Sequence, residues 1–199
     1  MNKHASNSLL KFLEEPTPGI IAILMTNHIN KLLSTIISRC QLVHLEHVLK
    51  LSNDSSFSNL AYVCCDSYDD IKAFIDDDAK KDIMDSVIEF VTYFEDNGLD
   101  ILLFMKKMWY NRVQTRDDNI LAFKILVYFY YDVLKCKMEY KDFILCNHSD
   151  VIMSISSKNT IDMLVKKIDV LQYGYDMVLS NLNINLLLDD IVIRLGDVS

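Results

Sequence analysis

Arg39, set between Ser38 and Cys40 just past the apolar turn Leu32-Leu33-Ser34-Thr35-Ile36-Ile37, is the residue of this chain best suited to reaction chemistry. A guanidinium stays charged, and its planar fork matches the oxygens of a phosphate. In that position it has two readings. It can reach a phosphoryl group and stabilise charge that develops during transfer, or it can be an exposed cation in a turn between a helix and a strand. Thr26 and Asn27 pose a similar choice. They follow the apolar run Ile20 to Met25, and the carboxyl end of a buried strand is where α/β sheets bind ligands. A polar residue there can sense a γ-phosphate by hydrogen bonding, or can simply form a turn.

Other constellations point to no chemistry. His44 and His47 are three apart, but His44 falls in an expected strand and no cysteine or carboxylate has fitting spacing nearby. No metal site is expected from them. The aspartates at 66–82 lack the order and the glycine of a calcium loop, so a solvated acidic face is expected. Trp109, Tyr110, Tyr128, Phe129, Tyr130 and Tyr131 could stack on bases. Their helical spacing in an acidic chain favours packing in a core or between subunits. No Ser-His-Asp or Cys-His grouping emerges from the spacing.

Charge and composition narrow the class further. The chain has 20 basic and 28 acidic residues, a net charge of −8, which disfavours a main role in binding a phosphate backbone. Five cysteines (Cys40, Cys64, Cys65, Cys136, Cys146) contain no C-x-x-C pair, and reduced, mostly buried thiols of a cytosolic protein are expected. No signal peptide precedes Lys3 and His4, and the run Ile20 to Met25 is far too short to span a bilayer. A cytoplasmic location follows as an expectation.

The elements that must position Arg39 read as helix, strand, helix, strand. Leu9, Phe12 and Leu13 share a face of a helix over 3–15, which Pro16 stops before the turn Thr17-Pro18-Gly19. Ile20 to Met25 fits a strand buried on both faces. Asn30 can cap a short helix from Lys31 to Ile37, and Gln41 to Leu45 reads as a second strand. That alternation is α/β grammar, and it begins abruptly, as though earlier strands were missing.

After residue 48 the pattern changes. Ser52 to Ser56 reads as a polar linker or helix cap, and 66–85 is strongly acidic. From Ile83 the periods are helical, with Val87, Ile88, Val91 and Phe94 in one stripe that Asn97-Gly98 ends. Further helices are expected over 102–110, 120–134, 161–171 and 175–182. Asn183 can cap a last one over 186–195, closed by Gly196. The fold expected is therefore an α/β fragment followed by an all-α bundle. Domains are expected at 1–46, at 47–80 as a lid or linker, and at 81–199 as the helical bundle.

Three motifs in order resemble a known family. Asn7-Ser8-Leu9-Leu10-Lys11-Phe12-Leu13-Glu14-Glu15-Pro16 is similar to a signature helix of the bacterial clamp-loader AAA+ subunits. Leu24-Met25-Thr26-Asn27 looks like their sensor-1 strand. Ser38-Arg39-Cys40 follows at the spacing of their Ser-Arg-Cys motif. The closing stretch from Leu179 to Asp190, with asparagines before an apolar helix bearing an early aspartate, resembles that of delta-prime subunits. Thr26-Asn27 favours those over the motor subunits, which commonly have Thr-Glu there. Ser34 departs from the family, standing where proline is common, and the stretch after Leu45 is shorter than the usual three-helix lid. No Gly-x-x-x-x-Gly-Lys-Ser/Thr phosphate loop and no cysteine-rich zinc module is present.

The resemblance implies the C-terminal part of an AAA+ core joined to a helical collar, acting in DNA replication as a stator of the DNA polymerase III clamp loader. Arg39 would be an arginine finger acting in trans, with Ser38 and Cys40 shaping its turn and Thr26 and Asn27 at the sensor-1 position. ATP and magnesium would belong to a neighbouring motor subunit. No cofactor is expected in this chain, and no catalysis by it alone outside the polymerase III holoenzyme. Implied partners are the motor (gamma/tau) and delta subunits through the collar, and the β clamp and primed DNA through the complex. A truncated motor-type ATPase and a helical interaction module with a vestigial AAA+ fragment are the competing readings.

Overall fold

The computed structural model describes residues 13, 20–26, 32–43, 55–65, 67–180 and 183–198. It divides into two units, Met1–Val48 and Leu49–Ser199.

In the first unit the described helix is α1, Ser34–Ile37, with Ile36 buried. The strand expected over Ile20 to Met25 does not form. Residues 20–26 carry neither helix nor strand, and Ile21, Ile23 and Met25 are 88, 81 and 90% exposed. Residues 41–43, the described part of the second expected strand, are likewise irregular. The physical reason is a missing ladder. A doubly buried strand needs neighbouring strands for its N–H and C=O groups and helices over both faces, and no strand occurs among the described residues. The α/β character expected for 1–46 is therefore not seen in them. The helix expected over 3–15, apart from helical Leu13, lies outside the described residues, as do His44, Leu45 and His47.

The second unit is helical. Ser55 caps α2 (Ser56–Cys64), its side chain accepting from the Ser58 amide. Ser67 caps α3 (Tyr68–Ile75) and Asp77 caps α4 (Asp78–Asn97) in the same way. Gly98 ends α4 at φ +58°, a left-handed conformation that costs glycine little. The helix expected over 102–110 is instead a 3-10 segment, Gly98–Leu103, followed by a π-helical turn, Lys106–Tyr110. Next come α5 (Arg116–Lys137), a 3-10 turn at Cys146–His148, α6 (Ser149–Lys158), α7 (Ile161–Leu179) and α8 (Ile184–Gly196). The two helices expected over 161–182 are thus one. α6, which carries the weak stripe Ile152 and Ile155, had not been expected.

α5 is the central element, packed against α4, α6 and α7. Its buried residues, among them Phe123, Ile125, Leu126, Phe129, Tyr130 and Val133, cover more than half of its circumference, while Lys124, Tyr128 and Tyr131 mark the less covered side. So wide an apolar face suits a helix packed against several neighbours. Trp109, fully buried, packs edge-on to Phe90 and Phe123 and donates Nε1–H to Asn119 Oδ1 at 3.0 Å. Gly174 lets α7 sit close against α5 and α8, since a Cβ there would land on the Phe123 ring and near Ile191. α8 packs on α7 and on the 3-10 segment. As expected, Asn183 caps α8, accepting the Asn185 and Leu186 amides at 3.1 and 3.4 Å.

Candidate functional site

The Ser-Arg-Cys turn is built from the backbone outward. The Leu33 carbonyl accepts the amides of Ile36 and Ile37 at 2.9 and 3.2 Å, opening α1. The chain then tightens: Arg39 N–H reaches the Ile36 carbonyl at 3.1 Å and Cys40 N–H reaches Ile37 at 3.3 Å. Ile36, 2% exposed, anchors the turn. Ser34 takes the first helical position after Leu33, which is extended. That position favours proline but does not require it, so the turn forms with serine.

Ser38 and Arg39 converge on one acceptor. Ser38 Oγ donates to the Thr35 carbonyl at 3.2 Å, and Arg39 Nη1 donates to the same oxygen at 3.0 Å. Carbonyls at a helix end lack intrahelical partners, and a cation there is favourable. The guanidinium is thus folded back over the C-terminal end of α1 while Arg39 remains exposed and Cys40 half-buried. A charged fork on a short turn with a buried anchor can be offered to an anionic group. Thr26 is exposed at the end of 20–26, and Asn27 lies outside the described residues.

The features set aside in the sequence have structural roles. Asp77, in the acidic stretch, accepts from the Ala79 amide and pairs with Lys80 at 2.6 Å; Asp70 accepts from Ser67 at 2.6 Å. Phe129 and Tyr130 are buried, whereas Tyr131 is 43% exposed. No group of metal-ligating side chains occurs among the described residues. None of the five cysteines forms a disulfide, and all are half-buried rather than buried. Burial pushes the Cys64 thiol up to about 11, which makes it a poor nucleophile.

One cluster escaped the sequence reading. Lys167 is 1% exposed and meets Glu95, Asn159 and Tyr130 inside the helical unit. A signal was present: Lys167 sits on the same stripe of α7 as Leu164, Ile168 and Leu171.

The family described as "DNA polymerase III, delta subunit" matches residues 1–48, the unit that carries Arg39. Over 209 aligned residues the chain is 23% identical to DNA polymerase III subunit delta' of Bacillus subtilis, with 99% of this chain covered. The chain is similar to a DNA polymerase III delta' subunit. The likeness extends through the helical unit as well as the turn, and the chain spans 63% of that relative's length. No helix among the described residues is long and apolar enough to cross a membrane.

Proposed function

We propose that the chain acts in DNA replication as a delta-prime-type stator of a polymerase III clamp loader, with Arg39 as an arginine finger in trans. The observation that carries this reading is the exposed Arg39 on its turn after α1, in a segment matched by a DNA polymerase III family. Ser38 and Cys40 hold the turn, and Thr26 and Asn27 stand at the sensor-1 position. The ATP and magnesium lie in a neighbouring motor subunit, so the chain alone does not hydrolyse ATP.

Within this reading residues 1–46 are the C-terminal part of an AAA+ core, 47–80 a shortened lid or linker, and 81–199 the collar. The collar joins the chain to motor (gamma/tau) and delta subunits in the cytoplasm, and the assembly places the β clamp on primed DNA. Exposed apolar side chains on the last two helices, including Val165, Leu186 and Ile193 at 43, 68 and 46% exposure, suit a collar contact.

Co-purification with candidate motor and delta subunits tests the assembly, and Arg39→Ala in that complex tests the finger. DNA- and clamp-stimulated ATP hydrolysis should fall by about tenfold or more. An unchanged rate in a complex that still assembles would refute the finger and favour a second reading, a helical interaction module with a vestigial AAA+ segment. That alternative draws support from the irregular backbone of 20–26 and from the extensive apolar core of the helical unit.

A further inference from the structure

Four polar side chains from separate stretches of the helical unit meet in its interior. Lys167 Nζ lies 2.9 Å from Glu95 Oε1, with the two side chains 1% and 4% exposed. Tyr130 O–H donates to the same carboxylate oxygen at 2.5 Å. Asn159 Nδ2–H donates to Glu95 Oε2 at 2.9 Å, and Asn159 Oδ1 accepts from Lys167 at 2.8 Å. Lys167 also faces the rings of Phe94 and Tyr130 at 5.6 and 6.0 Å. Burial and the neighbouring carboxylate hold the Tyr130 phenol well above its ordinary range, so it remains a donor.

We infer that the Glu95–Tyr130–Asn159–Lys167 quartet is a register lock: it selects one alignment of α4, α5 and α7 and the α6–α7 junction, and is not a net source of stability. Apolar packing is non-directional, so the apolar stripes of α4 and α7 would tolerate neighbouring alignments. A one-turn slip of α7, about 5.4 Å, brings Met163 or Leu171 opposite Glu95. The carboxylate would then be buried without its cation, which is strongly disfavoured. The native alignment alone gives every acceptor a donor. Withdrawing two charges from water largely cancels the attraction between them, so an apolar replacement of similar volume is expected to be about as stable. What the replacement loses is the penalty against the slipped states.

The full chain tests this with two variants. Lys167→Met alone strands Glu95 and should lower the melting temperature by about 10 °C. The triple variant Glu95→Met, Tyr130→Phe, Lys167→Met should melt within about 5 °C of the unsubstituted chain. Asn159 is kept because Nδ2 also holds the Ile155 carbonyl at 3.0 Å. The triple variant should nonetheless show doubled or broadened backbone amide resonances and at least about tenfold faster hydrogen exchange in α4 and α7. Native exchange rates with a single set of resonances would overturn the lock. So would a triple variant that melts as low as Lys167→Met or fails to fold, because the quartet would then be a net stabiliser. Native melting of Lys167→Met would overturn it as well.

Discussion

Thr115 and Asp118 close a reciprocal pair at the start of the central helix. The Thr115 hydroxyl accepts the Asp118 amide at 3.1 Å, and the Asp118 carboxylate accepts the Thr115 amide at 2.8 Å. Two donors that the helix cannot satisfy internally are thereby paired. The carboxylate also takes the Gln114 amide at 3.2 Å. Because α5 touches most of the bundle, its first turn sets where that bundle begins. Thr115→Ala should cost about 1 kcal/mol, or roughly 3 °C in melting temperature, measured by circular dichroism. A loss below 1 °C would show that neighbouring contacts, not the cap, fix this end.

Gly174 tests how tightly α7 is seated. An added Cβ meets the ring of Phe123, itself fully buried, and comes within 3.0 Å of Ile191 Cδ1. Elsewhere in a helix, glycine to alanine stabilises by roughly 0.5–1 kcal/mol. Here overpacking should outweigh that gain, and Gly174→Ala should destabilise by about 1–3 kcal/mol. Phe123→Leu in the same chain opens space, so the two substitutions together should cost less than their sum. Additive losses in denaturant melts would place the strain somewhere other than the Phe123 ring.

The helical half was legible because its cues are local. The stripe Val87, Ile88, Val91, Phe94 is the buried face of α4, Gly98 ends that helix, and Asn183 caps the start of α8 as its chemistry requires. The apolar period starts α5 only at Ile120, whereas the helix begins at Arg116, where Thr115 and Asp118 have capping-box spacing. The apolar pattern reads as two helices, 161–171 and 175–182, whereas α7 runs unbroken through Gly174, which in three dimensions is a contact point. The Ile20–Met25 run failed for a different reason: a buried strand depends on partners, and no property of those residues shows whether partners exist. Arg39 was legible as a residue on a turn. Its bond to the Thr35 carbonyl depends on the tightened end of α1, which spacing alone does not specify.

Asp132 predicts a pH dependence. It is fully buried, its Oδ2 accepts the Leu145 amide at 2.8 Å, and its Oδ1 has no partner. Burial raises the carboxyl above its ordinary value, with the Leu145 and Ile144 amides opposing the shift. The native state therefore holds this proton more tightly than the unfolded chain. Between the unfolded value, about 3.9, and the raised native one, the unfolded state binds fewer protons, so this group's contribution falls as pH rises. Asp132→Asn keeps an oxygen for Leu145 and removes the titration. Unfolding free energies of both chains, measured from about pH 4 to 7, should show the unsubstituted chain losing stability relative to Asp132→Asn as pH increases. A constant or opposite difference would mean that the carboxyl is not raised.

Arg39 separates folding from chemistry. Its side chain is exposed, and its described hydrogen bond is local, to Thr35 at 3.0 Å. An exposed cation at a helix end contributes no more than about 1 kcal/mol, so Arg39→Ala and Arg39→Lys should both melt within a few degrees of the unsubstituted chain. Their effects on an assembled clamp loader should not be neutral. Lysine keeps the charge but loses the planar fork. If the fork aligns two phosphate oxygens, Arg39→Lys should leave stimulated hydrolysis nearer to the alanine variant than to the original. If charge alone is needed, lysine should restore most of the rate. Equal hydrolysis by all three, with assembly confirmed by gel filtration, would leave Arg39 a surface cation at the end of a short helix.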